Sequence, residues 1–116
     1  MTRAFIYMPS YENQSKKIGL DYNNDIEIEN TILNNPEIGV VIQGTGGVKK
    51  FRIALVNTGK SGGARVVYVD FPIYGKVYLL AVFAKSVKET LTKSERNELF
   101  DLVKILEKEA KRGVKL

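Results

Sequence analysis

The spacing of apolar residues changes from a helical to a β-type period in the middle of this chain, and that change limits the folds available to it. Phe51 and Ile53 alternate with Lys50 and Arg52, which predicts a strand with one apolar and one basic face. Residues 65–69 form a second β-prone run. Residues 77–85 form a third run that is apolar on both faces, as expected of a central strand. Because short connections join the three runs, the sequence predicts an antiparallel meander.

Shorter elements precede the meander. Residues 4–8 have the composition of a short strand. Ser10 is the predicted N-cap of a helix that runs to about residue 20. Asn24, with Glu27 three residues later, predicts the start of a second helix. This helix should end at residues 34–36, because a residue that precedes proline avoids the α region.

The C-terminal segment has the clearest helical pattern. Thr92 and Glu95 have the spacing of a capping box, and Gly113 is a suitable end for a helix over about 95–111. Its apolar residues form one stripe, made of Leu99, Leu102, Val103, Leu106 and Ala110. We expect the stripe to pack on the sheet, and a groove for a partner is the alternative. The predicted order is β-α-α-β-β-β-α, an α+β fold in a single domain over residues 1–116.

Positive charge is concentrated in the β-rich middle. Residues 38–88 contain eight bases and one acid, Asp70, which gives this segment a net charge of +7, whereas the whole chain carries +5. The bases are Lys49, Lys50, Arg52, Lys60, Arg65, Lys76, Lys85 and Lys88. A basic sheet is typical of a surface that binds a polyanion, although a solvated lysine-rich surface has the same pattern.

The residue inventory excludes several kinds of chemistry. The 116 residues include no Cys and no His, so disulfides, thiolate nucleophiles and serine–histidine triads are excluded, and a transition-metal site is disfavoured. We expect no cofactor. The longest apolar run, residues 77–84, is too short to span a bilayer, which favours a cytoplasmic protein.

Three cations are predicted to converge if the meander forms. Arg52 lies on the basic face of its strand, Arg65 begins the next strand and Lys85 ends the third. Neighbouring strands lie about 5 Å apart, so these side chains can reach one phosphate group. We expect Arg65 to face solvent, and the alternative is that each cation is an isolated surface charge.

Two further patterns have both a functional and a structural interpretation. Residues 44–47 and 59–63 are rich in Gly and could present backbone N–H groups to phosphate, or simply connect strands. The second lacks P-loop spacing, because Ala54 occupies the position of the first glycine, so a nucleoside triphosphate site is disfavoured. Tyr68, Tyr74 and Tyr78 could stack on RNA bases or belong to the core.

Four segments resemble those of a known group of proteins. Residues 41–52 read VIQGTGGVKKFR, residues 59–68 read GKSGGARVVY and residues 78–85 read YLLAVFAK. Together with NPEIG at residues 35–39, they resemble motifs of the RelE/HigB toxin superfamily, especially its HigB-2-like branch. The resemblance spans residues 35–92, and the motifs occur in the order found in that superfamily.

The resemblance implies a type II toxin that enters the ribosomal A site and cuts translated mRNA without a metal ion. It implies that Arg65 stabilises the transition state, that Arg52 or Lys50 binds phosphate or assists proton removal, and that Lys85 lies beside the leaving oxygen. The residues that hold the RNA would be Lys49, Lys50 and Lys60. The general base stays unassigned, because the tyrosine that some RelE proteins have near the C-terminus is absent after Tyr78.

The implied partners are an antitoxin, typically with a helix-turn-helix domain, and the ribosome with its mRNA. Two alternatives share the same fold. One is a ParE-like toxin that inhibits DNA gyrase without being an enzyme, and the other is an inactive RNA-binding remnant.

Overall fold

The computed structural model describes residues 2–54, 63–84 and 91–113. Five strands form one sheet in the order β1-β5-β4-β3-β2. The strands are β1 (Ala4–Tyr7), β2 (Val40–Val41), β3 (Lys49–Ile53), β4 (Ala64–Phe71) and β5 (Lys76–Ala84). The predicted meander is confirmed, because β3 pairs with β4 and β4 with β5 in antiparallel fashion. The sheet is mixed, since β1 pairs with β5 in parallel. The two-residue strand β2 was not predicted.

Three helices complete the fold: α1 (Pro9–Ile18), α2 (Tyr22–Asn34) and α3 (Lys93–Arg112). The capping box at Thr92 and Glu95 is confirmed, with both of its hydrogen bonds formed. The N-cap of α2 is Asp21 rather than Asn24. Asn24 instead occupies the third helical position, where its side chain accepts a hydrogen bond from the Asp21 N–H.

The prediction that Ser10 caps α1 is wrong, because Ser10 lies inside the first turn of the helix. Its hydroxyl donates to the Leu80 carbonyl oxygen at 2.5 Å. One turn later, Gln14 accepts a hydrogen bond from the Val82 N–H at 3.0 Å. β1 pairs with β5 only as far as Leu79. The α1 side chains therefore satisfy polar groups of β5 beyond the end of β1, where a bare strand edge would otherwise be exposed.

Each face of the sheet has its own hydrophobic core. One core joins α1 and α2 to the sheet and is formed by Tyr11, Ile28, Ile32, Phe51, Ala64, Val66, Tyr68, Val77, Leu79 and Val82. The other joins α3 to the sheet and is formed by Val48, Val69, Phe71, Tyr78, Leu80, Val103, Leu106 and Ala110. The expectation that the α3 stripe packs on the sheet is confirmed.

A β-bulge in β5 reverses the direction of its side chains. The register between β4 and β5 shifts after Val67, so that Leu80 has no partner on β4. Because of this extra residue, Leu79 and Val82 both contribute to the α1/α2 core although they are three positions apart. Phe83 consequently lies on the α3 face, where it lines a cavity.

Within the part of the chain that the structure describes, no helix combines the length and the apolar character needed to span a bilayer.

An ion pair joins the start of β1 to β4. The Arg3 guanidinium donates to both carboxylate oxygens of Asp70, at 2.7 and 3.2 Å. Both side chains are almost fully buried. The single acid of the basic segment is therefore neutralised on the sheet itself.

Candidate nucleic-acid interface

The strands β3 and β4 bring three cations together on the sheet face that α3 partly covers. Lys50 and Arg52 project to the same side, because strand residues two positions apart share a face. Arg52 lies directly opposite Arg65 in the antiparallel ladder, and Lys50 lies opposite Val67, two residues further along β4. The predicted division of β3 into an apolar and a basic face is confirmed, since Phe51 is buried and Arg52 is exposed. We call Lys50, Arg52 and Arg65 the cationic cluster.

Arg65 has an environment that the sequence did not predict. Only 6% of its surface is exposed, so the expectation that it faces solvent is wrong. Its strand has β3 on one side and β5 on the other, and the Nη2 group donates to the Ala84 carbonyl oxygen at 3.4 Å. Burial, and then the neighbouring charge of Arg52, lowers the pKa of Arg65 from its ordinary value. A guanidinium stays protonated at any physiological pH, so Arg65 is a positive charge held in place by its surroundings.

A cavity of about 350 Å³ lies between the cationic cluster and the first three turns of α3. Lys50 and Arg65 line its sheet side, while Glu95 and Glu98 line its helix side. The two acids were not identified as site residues from the sequence. Glu95 was recognisable as a capping residue, but nothing local indicates that α3 brings it and Glu98 over the sheet. The arrangement places cations and carboxylates around one mostly apolar space.

Two predicted RNA contacts lie elsewhere. Lys49 is adjacent to Lys50 and therefore projects to the opposite face, where its Nζ donates to Glu37 Oε2 at 3.1 Å. Tyr68 is fully buried, so the interpretation of its ring as a platform for RNA bases is wrong. Its hydroxyl donates to the Pro36 carbonyl oxygen at 2.9 Å and accepts from the Gly39 N–H at 3.2 Å. The structure thus gives Tyr68 a structural role.

Four other residues were considered as contacts for RNA or phosphate: Lys60, Lys85, Tyr74 and Tyr78. Lys60 and Lys85 lie outside the described residues, so their assignment stays a prediction. Tyr78 is buried in the α3 core, whereas Tyr74 is partly exposed beside Phe71. In the residue ranges that the structure covers, no group of three or more acidic side chains is arranged to hold a metal ion.

The glycine-rich segment at residues 44–47 forms a tight turn. Thr45 is fully buried, and its hydroxyl donates to the Ile42 carbonyl oxygen at 2.6 Å while accepting from the Val48 N–H at 3.1 Å. Gly46 adopts a positive φ of 78°, and a Cβ there would lie 3.3 Å from the ring of Phe100. The glycines therefore allow the turn to pack under α3, which supports the structural interpretation of this segment.

Comparison with known proteins supports the motif-based interpretation at the level of the fold. No family model matches the sequence. Among solved structures, the chain is similar to the free state of Escherichia coli toxin RelE in which two arginines are replaced by alanine. The match covers 91% of this chain and 99% of that one, with a TM-score of 0.51 and 18% sequence identity. The predicted RelE-like α+β fold is confirmed, while the HigB-2-like branch stays a prediction. The chain has the fold of the RelE toxins.

Proposed function

We propose that this protein is the toxin of a type II toxin–antitoxin system and that it cuts translated mRNA as a metal-independent endoribonuclease. The observation that carries the proposal is the cationic cluster, in which Lys50, Arg52 and Arg65 share one face of a RelE-like sheet beside an open cavity. A cluster of this kind suits the dianionic phosphorane that forms when RNA is cleaved.

RNA supplies its own nucleophile, and this is why the absence of His and Cys does not exclude the reaction. The 2′-oxygen loses its proton and forms a bond to the neighbouring phosphorus while the bond to the 5′-oxygen breaks. The leaving oxygen takes up a proton. The products are a 2′,3′-cyclic phosphate and a 5′-hydroxyl end. The protein needs to align the reacting atoms and to stabilise negative charge, and alignment alone can contribute about 7–11 kcal/mol.

The cations differ in the tasks that they suit. Arg52 is exposed and has a planar donor fork, so it can bind two oxygens of the scissile phosphate and keep both hydrogen bonds as charge develops on the phosphorane. Arg65 is held in place by burial, and a fixed charge needs little reorganisation as the transition state forms. Neither guanidinium can act as a base. Lys50 is an additional phosphate ligand, and Lys85 is the proposed proton donor to the leaving oxygen.

The proposed partners follow from the same resemblance. The ribosome would present the mRNA in its A site, and an antitoxin, typically with a helix-turn-helix domain, would neutralise the protein. The positive charge of the cationic cluster favours approach to ribosomal RNA, and this attraction should weaken as salt is added.

The test is mRNA 5′-end mapping after brief induction in cells. Wild type should produce in-frame cuts confined to translated regions. Arg52→Ala should reduce cutting by about 100-fold, the typical loss on removing one transition-state donor. The matched control is Arg112→Ala, which removes an exposed arginine at the far end of α3 and should cut like wild type.

Arg65 requires a conservative variant, because Arg65→Ala would remove a buried side chain and leave its space unfilled. Arg65→Lys keeps the charge and removes the fork, and it should also lose most of the cutting if Arg65 contacts the phosphorane. Growth arrest with intact mRNA would refute the nuclease and favour a toxin that acts by binding, such as a gyrase inhibitor. Normal growth with intact mRNA would refute the toxin as well.

A further inference from the structure

The cavity beside the cationic cluster is mostly apolar, and phosphate binding does not explain this property. Its floor comes from β4 and β5, and its roof from Leu91 and the first three turns of α3. The apolar lining includes Val67, Ala81, Phe83, Leu91, Leu99 and Leu102. Its volume of about 350 Å³ lies at the small end of ligand sites, which range over roughly 300–1,000 Å³. A space of this size and character suits one planar ring rather than a phosphodiester chain.

We infer that this cavity binds one base of the RNA, next to the phosphate held by the cationic cluster, and that the base is guanine. The inference rests on the proposed function and adds to it a subsite and a base preference. Lys50 and Arg65 line the same cavity as the apolar side chains, so a nucleotide whose ring enters it has cations within reach of its phosphates. An apolar segment of a protein partner would offer no anionic group to these cations.

The base preference comes from the carboxylate at the rim. Glu95 is committed to the helix cap, where its Oε1 accepts from the Thr92 N–H at 2.8 Å. Glu98, one turn further along α3, is exposed and also lines the cavity. A carboxylate accepts two parallel hydrogen bonds from the N1–H and N2–H groups of guanine. The Watson–Crick edges of the other bases lack such a pair of adjacent donors.

The apolar walls and the carboxylate at the rim act on different parts of the base. The walls cover the faces of the ring, while the exposed Glu98 meets its Watson–Crick edge at the rim. The charge of Glu98 also repels a phosphate that enters in the wrong orientation. The ring is thus directed to Glu98 and the apolar walls, and the phosphates to the cations.

The experiment is a methyl NMR titration of the purified protein with four nucleoside 3′,5′-bisphosphates and with abasic ribose 5-phosphate. Guanosine bisphosphate should produce ring-current shifts at the methyl groups of Leu99 and Leu102, and abasic ribose phosphate should not. Guanosine should bind about tenfold more tightly than the other three nucleosides, in line with one bidentate base contact. Glu98→Gln should abolish that preference, because an amide cannot accept both hydrogen bonds.

The matched control is Glu107→Gln, which neutralises an exposed acid on the same helix away from the cavity and should keep the preference. The inference is overturned if neither leucine responds to any nucleotide, if the four bases bind equally, or if Glu98→Gln keeps the preference. Binding is measured without cleavage, so the two proposals can fail separately. A guanine preference without mRNA cutting would refute the nuclease alone. Cutting without shifts at the methyl groups of Leu99 and Leu102 would refute the base subsite alone.

Discussion

Replacing Tyr68 with Phe removes one buried hydroxyl and tests whether that residue is structural. Tyr68 is fully buried in β4, and its hydroxyl bonds to Pro36 and Gly39, which lie in the connection between α2 and β2. The ring itself packs edge-on against Phe51, with centroids 5.7 Å apart, and Phe preserves that contact. The substitution therefore isolates two hydrogen bonds.

The magnitude follows from what the hydroxyl leaves behind. An unsatisfied buried polar group costs about 1–3 kcal/mol. Pro36 and Gly39 are only partly buried, so water compensates in part, and we expect Tyr68→Phe to lower the free energy of unfolding by about 2 kcal/mol. Urea titration followed by far-UV circular dichroism measures this value. The slope of the free energy of unfolding against urea concentration should not change. Tyr22→Phe is the control, because that ring is 76% exposed.

The same pair of proteins makes a prediction about pH. Burial raises the pKa of Tyr68 above its ordinary value of 10.0. The folded state therefore favours the neutral phenol, and this contribution is complete below pH 10.0 and is lost as the pH rises beyond it. The advantage of wild type over Tyr68→Phe should shrink in that range. A destabilisation under about 0.5 kcal/mol at neutral pH, the size of an ordinary surface effect, would refute the structural role.

Three other substitutions test the packing of the fold. Leu106→Ala should cost about 3 kcal/mol in urea titrations, because Leu106 is buried under the sheet, whereas Ile105→Ala, at a 63% exposed position, should cost less than about 0.5 kcal/mol. Asp25→Asn should stabilise the protein at neutral pH. Burial raises the pKa of Asp25, its ionisation therefore opposes folding, and Asn can still accept the hydrogen bond from Tyr11; the gain should vanish below the ordinary pKa of 3.8. Thr92→Ala should cost about 1 kcal/mol and speed hydrogen exchange in the first turn of α3.

Features that depend on neighbours along the chain could be predicted from the sequence. The alternation around Phe51 reports the two faces of β3 directly, and the spacing of Thr92 and Glu95 reports the start of α3. These patterns were sufficient for the α+β fold and for placing Lys50 and Arg52 on one face. The motif resemblance gave the RelE-like fold, which the comparison with RelE supports.

Features that depend on contacts between distant segments could not be predicted. The burial of Arg65 and Tyr68 results from strands that lie on both sides of β4, and a side-chain pattern along β4 does not report this. The extra residue Leu80 in β5 is defined only by its register with β4. Glu98 lies over the cationic cluster because α3 docks on the sheet at one particular position, which its apolar stripe does not specify.

Cleavage of a defined mRNA in a purified translation mixture shows whether the cationic cluster cleaves RNA. We expect fragments with 2′,3′-cyclic phosphate and 5′-hydroxyl ends from the wild-type protein. The rate should be about 100-fold lower with Arg52→Ala and unchanged with Arg112→Ala. Equal cutting by wild type and Arg52→Ala would refute the role of the cluster, and intact mRNA with the wild-type protein would refute the nuclease.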